Sequence, residues 1–452
     1  MATSSAATKK PLSTDGKHLA LQIFLETLAT IDVRHAMLNK VKRVDSTPKT
    51  LLAGDASVPL VRPPRVIAFG KAANRMAATI DEILGGEIET GVVVSPTEPE
   101  RERKVNRFRY FVGGHPYPTR GSLEGALAAM ELATGLTADD VVIFLVSGGG
   151  SALFETPFDP GVTLTDLSDF NRVLVTCGLP IEQINVLRKH ISAVKGGRLG
   201  ARAHPARQLT IFISDVPERF TSMVASGPTM PDESTLEQCY ALAETHGLAP
   251  KFPATIRKLF AERRLEETPK PGDPRLQGAG YHCLLSNRDA VEAARSSAEK
   301  LGLRAAIDTS EWDRHYSEVV AANLESLERL TREAGGQASC LVAGGEVICP
   351  VTGLGTGGRN QAFVLHAARE IQGQRRVVLS AGTDGRDGNS PVAGAVADGQ
   401  TVARARSLNL DPAQYLAASD SYHFFRTLGD AIETGFTDNN VRDVRLWLDF
   451  GA

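Results

Sequence analysis

The feature that most limits what this chain can fold into is an apolar segment that runs directly into a glycine-rich turn, VVIFLVSGGGS, from Val141 to Ser151. Six consecutive apolar residues, most of them β-branched, are typical of a strand buried in a parallel sheet. In such sheets ligands bind at the carboxyl ends of the strands, where glycine lets backbone N–H groups approach an anion. A tight turn packed against a helix would explain one or two glycines, but it explains three poorly. The sequence therefore predicts a phosphate- or carboxylate-binding loop made of Ser147, Gly148, Gly149, Gly150 and Ser151.

The rest of the first half repeats this alternation of strand and helix. Short runs rich in valine or isoleucine lie between stretches of helical periodicity. The predicted strands are Arg65–Phe69, Gly91–Val94, Val141–Val146 and Leu209–Ile213. The predicted helices cover 18–44, Lys71–Leu84, Ser122–Thr134 and Ile181–Ala203. The alternation predicts an α/β fold with a doubly wound parallel sheet.

A second α/β unit is expected in the rest of the chain, because 452 residues exceed what one hydrophobic core usually supports. The best linker candidate is the proline-rich EETPKPGDPRLQG at Glu266–Gly278. Strands and helices alternate again beyond it, at Tyr281–Leu285, Asp289–Leu301, Tyr316–Glu333, Ser339–Val342, Asn360–Ile371 and Arg376–Ser380. We predict a flexible tail over 1–17, a first domain over 18–270 and a second domain over 271–452.

Composition and charge exclude several classes of protein. A net charge of −3 and a pI near 6.4 argue against a nucleic-acid-binding surface. No apolar run has the length of a membrane helix, so no membrane partner is expected. The five cysteines are scattered without a CxxC spacing, which indicates neither a zinc site nor a disulfide framework. We expect a cytoplasmic protein, although PLSTDGKHL at Pro11–Leu19 resembles a peroxisomal targeting nonapeptide with proline in place of its leading basic residue.

A second glycine-rich loop, GLGTGGRN at Gly353–Asn360, formally matches GxGxxG. A dinucleotide site requires these glycines directly after a strand, and here AGGEVICPVT lies between the predicted strand and the loop. Arg359 stands where the loop enters a helix, and a guanidinium there can bind phosphoryl oxygens through two parallel hydrogen bonds. We count Arg359 as a catalytic candidate and Asn360 as a phosphate-binding candidate, with a surface cation as the alternative for Arg359.

A third loop, SAGTDGRDGNSPVAGA at Ser380–Ala395, places two aspartates around a glycine after a strand. Carboxylate oxygens are ligands that Mg²⁺ prefers, and Mg²⁺ also binds substrate phosphates. Asp384 and Asp387 are therefore predicted metal ligands. A polar turn that caps the next helix is the alternative.

Further cations and small residues follow other predicted strands. Lys71, at a strand-to-helix corner in VIAFGKAA, can reach a phosphate as a point charge. Asp215 stands just after the end of the strand Leu209–Ile213, where its carboxylate can orient a metal or a hydroxyl. The remaining predicted anion contacts are Lys195 and Arg198, on a basic helix broken by glycines, and Ser226 and Gly227, in a small kinked loop.

Six segments in this order resemble the class II glycerate kinases, the family with a C-terminal MOFRL domain: SGGGSALFETP, LRKHISAVKGGRL, ISDVP, ASGPT, GGRNQAF and SAGTDGRDGNSPVAGA. The resemblance implies a Rossmann-like first domain, a smaller α/β second domain and an active site in the cleft between them. It also implies phosphorylation of D-glycerate to 2-phosphoglycerate with ATP and Mg²⁺. The family's GKA lysine falls on Lys71, its GGRNQ arginine on Arg359 and its glycine-rich loop on Ser147–Ser151.

One segment departs from the family pattern. The family's C-terminal stretch usually resembles TGPTGTNVND, whereas this chain reads TGFTDNNVRD from Thr434 to Asp443. Phe436 and Asp438 replace a proline and a glycine, so a nucleotide or glycerate contact at this segment is not carried over.

The expected reaction is in-line transfer of the ATP γ-phosphoryl group to the 2-hydroxyl of glycerate, with Lys71 and Arg359 on the equatorial oxygens. Asp215, Asp384 or Asp387 would hold Mg²⁺ or accept the hydroxyl proton. An NAD(P)H-dependent hydroxypyruvate reductase and a non-catalytic sensor of sugar or organic-acid phosphates are the alternatives. The expected partners are D-glycerate and a nucleotide, and a homodimer is one possible assembly.

Overall fold

The computed structural model describes residues 15–216, 223–308 and 313–451. They form two compact units. One, the parallel-sheet unit, is Val33–Ser286, and the other, the mixed-sheet unit, combines the residues up to Asp32 with those from Asn287 onward. Helix α1 (Gly16–Thr30) belongs to the mixed-sheet unit, and the side chain of Asp15 caps its start by accepting from the backbone N–H groups of Lys17 and His18. Most of the predicted tail lies outside the described residues, but Gly16 and Lys17 are helical.

The parallel-sheet unit begins with helix α2 (Val33–Lys40) and a small antiparallel sheet of β1 (Val41–Val44), β2 (Thr50–Ala53) and β3 (Ala56–Pro59). Six parallel strands then form its main sheet: β4 (Arg65–Phe69), β5 (Thr90–Ser95), β6 (Phe108–Val112), β7 (Val141–Val146), β8 (Arg207–Ile213) and β9 (Gly280–Leu285). Every residue of β7 is buried, as its unbroken apolar run predicts. The doubly wound parallel sheet is confirmed.

The order of the strands across this sheet is β6-β5-β4-β7-β8-β9. The chain therefore builds the sheet outward in one direction from β4 and in the other direction from β7. The gap between the carboxyl ends of β4 and β7 is a topological switch point, the place where open α/β sheets bind ligands.

The helices of the parallel-sheet unit follow the strands in the expected alternation. They are α3 (Ala73–Ile83), α4 (Arg120–Leu132), α5 (Gly150–Leu153), α6 (Leu164–Thr176), α7 (Ile181–Ile191), α8 (Arg198–Arg202), α9 (Leu236–Thr245) and α10 (Ala254–Ala261). Buried residues of α6, α7, α9 and α10, such as Phe170 and Phe260, form a separate core together with Phe252, which precedes α10.

The mixed-sheet unit contains helices α11 (Asn287–Lys300), α12 (Tyr316–Glu333), α13 (Arg359–Glu370), α14 (Thr401–Ser407), α15 (Pro412–Ala417) and α16 (Ser421–Leu428). Its strands are β10 (Arg304–Asp308), β11 (Ser339–Gly345), β12 (Arg376–Gly382), β13 (Gly394–Asp398), β14 (Ala431–Ile432) and β15 (Asp443–Asp449). They lie in the order β10-β11-β15-β12-β13-β14, and only the β10–β11 pair is parallel. The central strand β15 is buried along its whole length and carries the fully buried Trp447.

Three predicted elements differ from the structure. The helix expected over 18–44 is two helices followed by strand β1. The helix expected at Ile181–Ala203 ends at Ile191, because Ser192 has an extended backbone (φ −93°, ψ 142°). Gly196 and Gly197 then adopt left-handed φ angles of 58° and 80° before α8 begins. The strand expected at Tyr281–Leu285 exists, but it pairs with β8 in the first sheet, so the units divide after Ser286 and not near residue 270.

None of the helices in the described part of the chain combines the length and the apolar character that crossing a membrane requires.

Candidate active site

Lys71 and the triple-glycine loop meet at the switch point of the parallel sheet. Phe69 and Val146 are register partners at the ends of β4 and β7, so the residues that follow them are neighbours. The Lys71 N–H donates to the Gly148 carbonyl (2.9 Å), and the Ser147 N–H donates to the Phe69 carbonyl (3.1 Å). The predicted catalytic lysine and the predicted anion-binding loop therefore lie side by side.

Side chains that follow the ends of three strands, β4, β6 and β8, occupy the space that Gly148 and Gly149 leave open. Gly149 has a φ of 80°, and a Cβ there would lie 3.2 Å from Cγ of Lys71 and 3.4 Å from Cδ2 of His115. A Cβ at Gly148 would overlap Oδ2 of Asp215. Glycine is favoured at Gly149 by its left-handed φ and by the close aliphatic stem of Lys71 and ring of His115, and at Gly148 by the carboxylate of Asp215.

His115 is the part of this cluster that the sequence analysis did not identify. It follows β6, an edge strand in which exposed and buried positions mix, as in FRYFV at Phe108–Val112. That pattern lacks the continuous apolar run by which the other strands were found. The sequence feature that could indicate His115 is GHP shortly after an aromatic segment. If that segment is a parallel strand, His115 lies at the same edge of the sheet as the other strand ends.

Ser226 lies against the loop from a third side. Its hydroxyl oxygen is 2.8 Å from that of Ser151, and its O–H group donates to Oδ1 of Asn185 (3.1 Å). Ala225 and Ser226 have φ angles of 50° and 63°, a left-handed conformation that costs energy for residues with a Cβ. Because Ser226 is fully buried and fixed in this conformation, the hydroxyl of Ser151 is held at the loop as well.

Lys195 and Arg198 have protein partners. Lys195 is fully buried in an ion pair with Glu155, which also accepts from the Ser192 hydroxyl (2.6 Å). Burial lowers the pKa of Lys195, and the charge of Glu155 opposes this shift. Arg198 donates to the Glu266 carbonyl (2.8 Å). Anion binding by these two cations stays a prediction.

The turn between Lys195 and Arg198 supports the strained Ser226 loop. Gly196 and Gly197 donate their N–H groups to the carbonyls of Ser226 (3.1 Å) and Gly227 (2.7 Å). The role that the structure gives this basic segment is therefore to position the loop that contains Ser226.

Arg359, in the mixed-sheet unit, is the first residue of α13 and is fixed by two carboxylates. Its Nε lies 2.5 Å from Oδ2 of Asp443, and its Nη2 lies 2.6 Å from Oε1 of Glu346. Burial alone would lower the pKa of Arg359, but the two carboxylates outweigh burial and the net shift is upward. Among the described residues, no acceptor forms a hydrogen bond with Nη1 of Arg359. The guanidinium is a permanent, oriented cation.

The buried carboxylate of Asp387 occupies the start of α13. It accepts from the backbone N–H groups of Asn360 (3.0 Å) and Gln361 (2.9 Å), and from the side-chain amides of the same two residues (3.3 and 2.9 Å). Burial raises the pKa of Asp387 to about 6, so the group is ionised at neutral pH. These are the contacts of a helix cap, and Mg²⁺ binding by Asp387 stays a prediction.

The GxGxxG match at Gly353–Gly358 therefore does not form a dinucleotide site. In such a site the helix N-terminus binds the pyrophosphate, and here Asp387 takes that position. The glycines instead allow close packing of the loop: a Cβ at Gly353, Gly355 or Gly357 would overlap atoms of the segment 418–421.

Magnesium requires one or two carboxylates in addition to substrate phosphates. Asp384 is half-buried, and its Oδ1 accepts from the Arg386 N–H (3.1 Å). A Cβ at Gly382 would lie 3.2 Å from Oδ1 of Asp384 and 3.5 Å from Oδ1 of Asp443, so two acidic groups flank the end of β12. No cluster of three or more potential metal ligands exists within the described ranges. Asp215 and Asp384 each provide a single carboxylate of the kind that magnesium binds together with substrate phosphates.

The divergent segment Thr434–Asp443 packs on the loop that carries Asp384. The Thr383 hydroxyl donates to the Arg442 carbonyl (2.7 Å), and the Thr437 hydroxyl donates to the Thr383 carbonyl (2.6 Å). Phe436 is 72% exposed, with the Arg386 guanidinium 4.5 Å from its ring centroid.

Comparisons with known proteins show the family of the chain. Residues 19–261 match a family described as a domain of unknown function (DUF4147), and residues 339–443 match the MOFRL family. A D-glycerate 2-kinase from Thermotoga maritima is 36% identical over 85% of this chain and 90% of its own length. The chain belongs to the MOFRL family of glycerate kinases. A glycerate 2-kinase from Pyrococcus horikoshii is 33% identical over 96% of this chain and 97% of its own length. The crystal structure of a Thermotoga maritima glycerate kinase covers 96% of this chain and 99% of that chain, with a TM-score of 0.80 and 32% identity.

Proposed function

We propose that the chain is a glycerate 2-kinase that transfers the γ-phosphoryl group of ATP to the 2-hydroxyl of D-glycerate. The observation that carries the proposal is the position of Lys71 against the triple-glycine loop at the switch point, in a chain that belongs to this kinase family. The substrate oxygen forms a bond to the γ-phosphorus, and the bond from that phosphorus to the β–γ bridging oxygen breaks. ADP leaves, and the hydroxyl proton passes to a base or to water.

The residues at the loop have complementary roles in this proposal. Lys71 and the backbone N–H groups of the loop neutralise phosphoryl or carboxylate oxygens. Asp215, at the same loop, accepts the proton of the attacking hydroxyl or orients it. His115 follows β6, and Asp215 follows β8, on the opposite side of β4. His115 contacts the substrate carboxylate or a phosphoryl oxygen. Because the attacking alcohol needs positioning more than activation, this set of groups suffices.

Arg359 supplies the second fixed cation. Its upward-shifted pKa keeps it charged at every physiological pH, and Asp443 and Glu346 hold it in one orientation. We propose that it stabilises the equatorial oxygens of the same phosphoryl group as Lys71.

Mg²⁺, when bound with ATP, would neutralise charge on the β- and γ-phosphate oxygens. Asp384 is the residue proposed to hold it, and Asp387 remains the other predicted ligand. A homodimer and the cellular compartment stay predictions from the sequence.

A hydroxypyruvate reductase is the weaker candidate, and the features that suggest it are the GxGxxG match and the similar substrate. The carboxylate of Asp387 fills the position that a pyrophosphate would need. A non-catalytic sensor would bind the same ligands, so only a measurement of turnover distinguishes it from the kinase.

Two assays on the purified chain test the proposal. In one, D-glycerate and Mg-ATP are supplied while ADP is measured and the product is identified by phosphorus NMR as the 2- or the 3-phosphate. In the other, hydroxypyruvate and NADH are supplied while NADH is followed. We expect ADP and 2-phosphoglycerate, with a loss of about a thousandfold in kcat/KM for Lys71→Met. NADH oxidation without ADP formation would favour the reductase, and ligand binding without turnover would favour the sensor.

A further inference from the structure

A pocket of about 460 Å³ lies within the mixed-sheet unit, beside Arg359. Its walls include Tyr316 at the start of α12, Val347 and Val351 from the loop after β11, and Tyr415 and Leu416 from α15. This volume falls in the range of pockets that enclose most of a ligand of nucleoside size. The roles proposed above use Arg359 but leave the rest of this pocket without a function.

The lining of the pocket is almost entirely uncharged. Among the described lining residues, Arg359 is the one with a permanent charge. The others are apolar, aromatic, small or hydroxyl-bearing, apart from the imidazole of His315, the thiol of Cys349 and the carboxamide of Asn389. A ligand with a flat, weakly polar body and one anionic end matches this distribution. A small, highly polar acid such as glycerate does not, because it would leave most of the apolar surface uncovered.

Hydrogen bonds within the protein fix the pocket wall that the second glycine-rich loop and the residue before it form. The Thr352 N–H donates to the hydroxyl oxygen of Ser419 (2.9 Å), and the Gly355 N–H donates to the Ala418 carbonyl (3.0 Å). The Thr356 N–H donates to Oδ1 of Asp420 (2.9 Å). A pocket wall held in this way loses little conformational entropy when a ligand binds.

The rim of the pocket exposes apolar side chain to water. Val351 is 82% exposed although it is a branched apolar residue. Covering such a side chain with the face of an aromatic base removes apolar surface from water, which favours binding.

We propose that this pocket binds the adenosine portion of ATP, with the phosphate chain directed toward Arg359. The proposal rests on the proposed kinase function, since it names the binding site for the nucleoside of that reaction. The base packs between Tyr316, Val351 and Tyr415, and Arg359 meets the phosphates.

A substitution that fills the pocket tests the proposal. Ala362 lines the pocket from α13 and is half-buried, so Ala362→Phe places a ring in the space assigned to the base. Ala322→Phe is the matched control, because Ala322 is a half-buried alanine inside helix α12 that does not line the pocket. We expect Ala362→Phe to raise the Kd of ADP, measured by calorimetry, at least about tenfold. The KM of D-glycerate should stay within about twofold, and Ala322→Phe should change neither constant.

Photolabelling of the unmodified protein gives a second readout that does not depend on a variant that folds. 8-Azido-ATP is irradiated with the protein, and the labelled peptides are identified by mass spectrometry, with excess ATP as competitor. We expect ATP-protected label on peptides that contain Tyr316 or Tyr415. Label confined to the parallel-sheet unit would overturn the proposal, as would an unchanged Kd of ADP in a folded Ala362→Phe variant. A change in the KM of D-glycerate alone would also overturn it, because the pocket would then bind the acceptor.

These outcomes separate the two proposals. If the unmodified protein forms no ADP from ATP and D-glycerate, the kinase function fails, and nucleotide binding and labelling still decide the use of the pocket. If turnover is observed but the pocket variants bind ADP normally, only the nucleoside site fails.

Discussion

The two glycine-rich loops of this chain look alike in sequence and do opposite things in the structure. In the loop Ser147–Ser151, the space that Gly148 and Gly149 leave open is taken by the functional side chains Lys71, His115 and Asp215, whereas the space at Gly150 is taken by Ala225 and Phe69. In the loop Gly353–Gly358, the same kind of space is taken by the chain's own segment 418–421 and by Asp387. Glycine in the first loop gives functional groups access to the backbone, and glycine in the second permits dense packing.

The helix that follows each loop shows the same contrast. At α13 a buried carboxylate of the protein already accepts the N–H groups at the helix start, so an anionic ligand has no place there. What the second loop offers a ligand is a wall of the adjacent pocket and the guanidinium of Arg359. A glycine motif therefore predicts close approach to the backbone, and only the structure tells which group approaches.

Among the substitutions that compare the two loops, the largest effect is expected in the first loop. Gly148→Ala places a Cβ on Oδ2 of Asp215 and forces this carboxylate to move. We expect kcat/KM with D-glycerate and ATP to fall about a hundredfold, because small displacements of reacting groups are costly in rate. Gly161→Ala is the control, since Gly161 lies in an exposed turn and a Cβ there would meet only the side chain of Asp159, at 3.0 Å. A loss below about threefold would show that the first loop, like the second, serves packing.

A smaller effect, on stability, is expected in the second loop. Gly358 has an extended backbone, and a Cβ there would overlap the backbone and side chain of Asp387. We expect Gly358→Ala to lower the free energy of unfolding in urea by about 2 kcal/mol. Gly161→Ala is the control here as well, because Gly161, like Gly358, has no left-handed φ, and a Cβ there would meet only the side chain of Asp159. It should change the free energy of unfolding by less than about 0.5 kcal/mol. A loss in Gly358→Ala no larger than in this control would mean that the overlap at Asp387 is relieved without cost.

The smallest expected effect concerns the helix cap. Asp387→Asn replaces one carboxylate oxygen by an NH₂ group that faces the N–H donors of Gln361 or Asn360. We expect a loss of about 1.5 kcal/mol in the free energy of unfolding. The amide hydrogens of these two residues should also exchange faster. Asp384→Asn should cost less, because Asp384 is half-buried and Asp387 is fully buried. Unchanged exchange in Asp387→Asn would contradict the role of Asp387 as the cap.

The sequence predicts the parts of the fold that local pattern determines. Continuous apolar runs located β4, β5, β7, β8, β11 and β12, and helical periodicity gave the bounds of α12 as observed. Local sequence pattern does not predict which strands pair with one another. β9 reads as a strand, but nothing local indicates that it pairs with β8, and the edge strand β6 alternates too weakly to be recognised.

The candidate site divides in the same way. Lys71, Asp215 and the loop Ser147–Ser151 were predictable because parallel strands end at one edge of a sheet, and the structure brings them together. His115 was missed with its strand. For Asp387 both a metal ligand and a helix cap were compatible with its place in a polar loop, and the choice depends on tertiary contacts with α13 that local sequence does not contain.

Lys71 and Arg359, one in each unit, are proposed to act on the same phosphoryl group, and a double-mutant cycle tests this most directly. kcat/KM with D-glycerate and ATP is measured for Lys71→Met, Arg359→Gln and the double variant, with melting temperatures to account for the loss of the Arg359–Asp443 ion pair. Each single substitution should lower kcat/KM about a thousandfold, and the double variant should lose no more than about tenfold beyond the weaker single variant. Single variants within about threefold of the unmodified protein, or a double variant whose loss is the full product of the two, would contradict it.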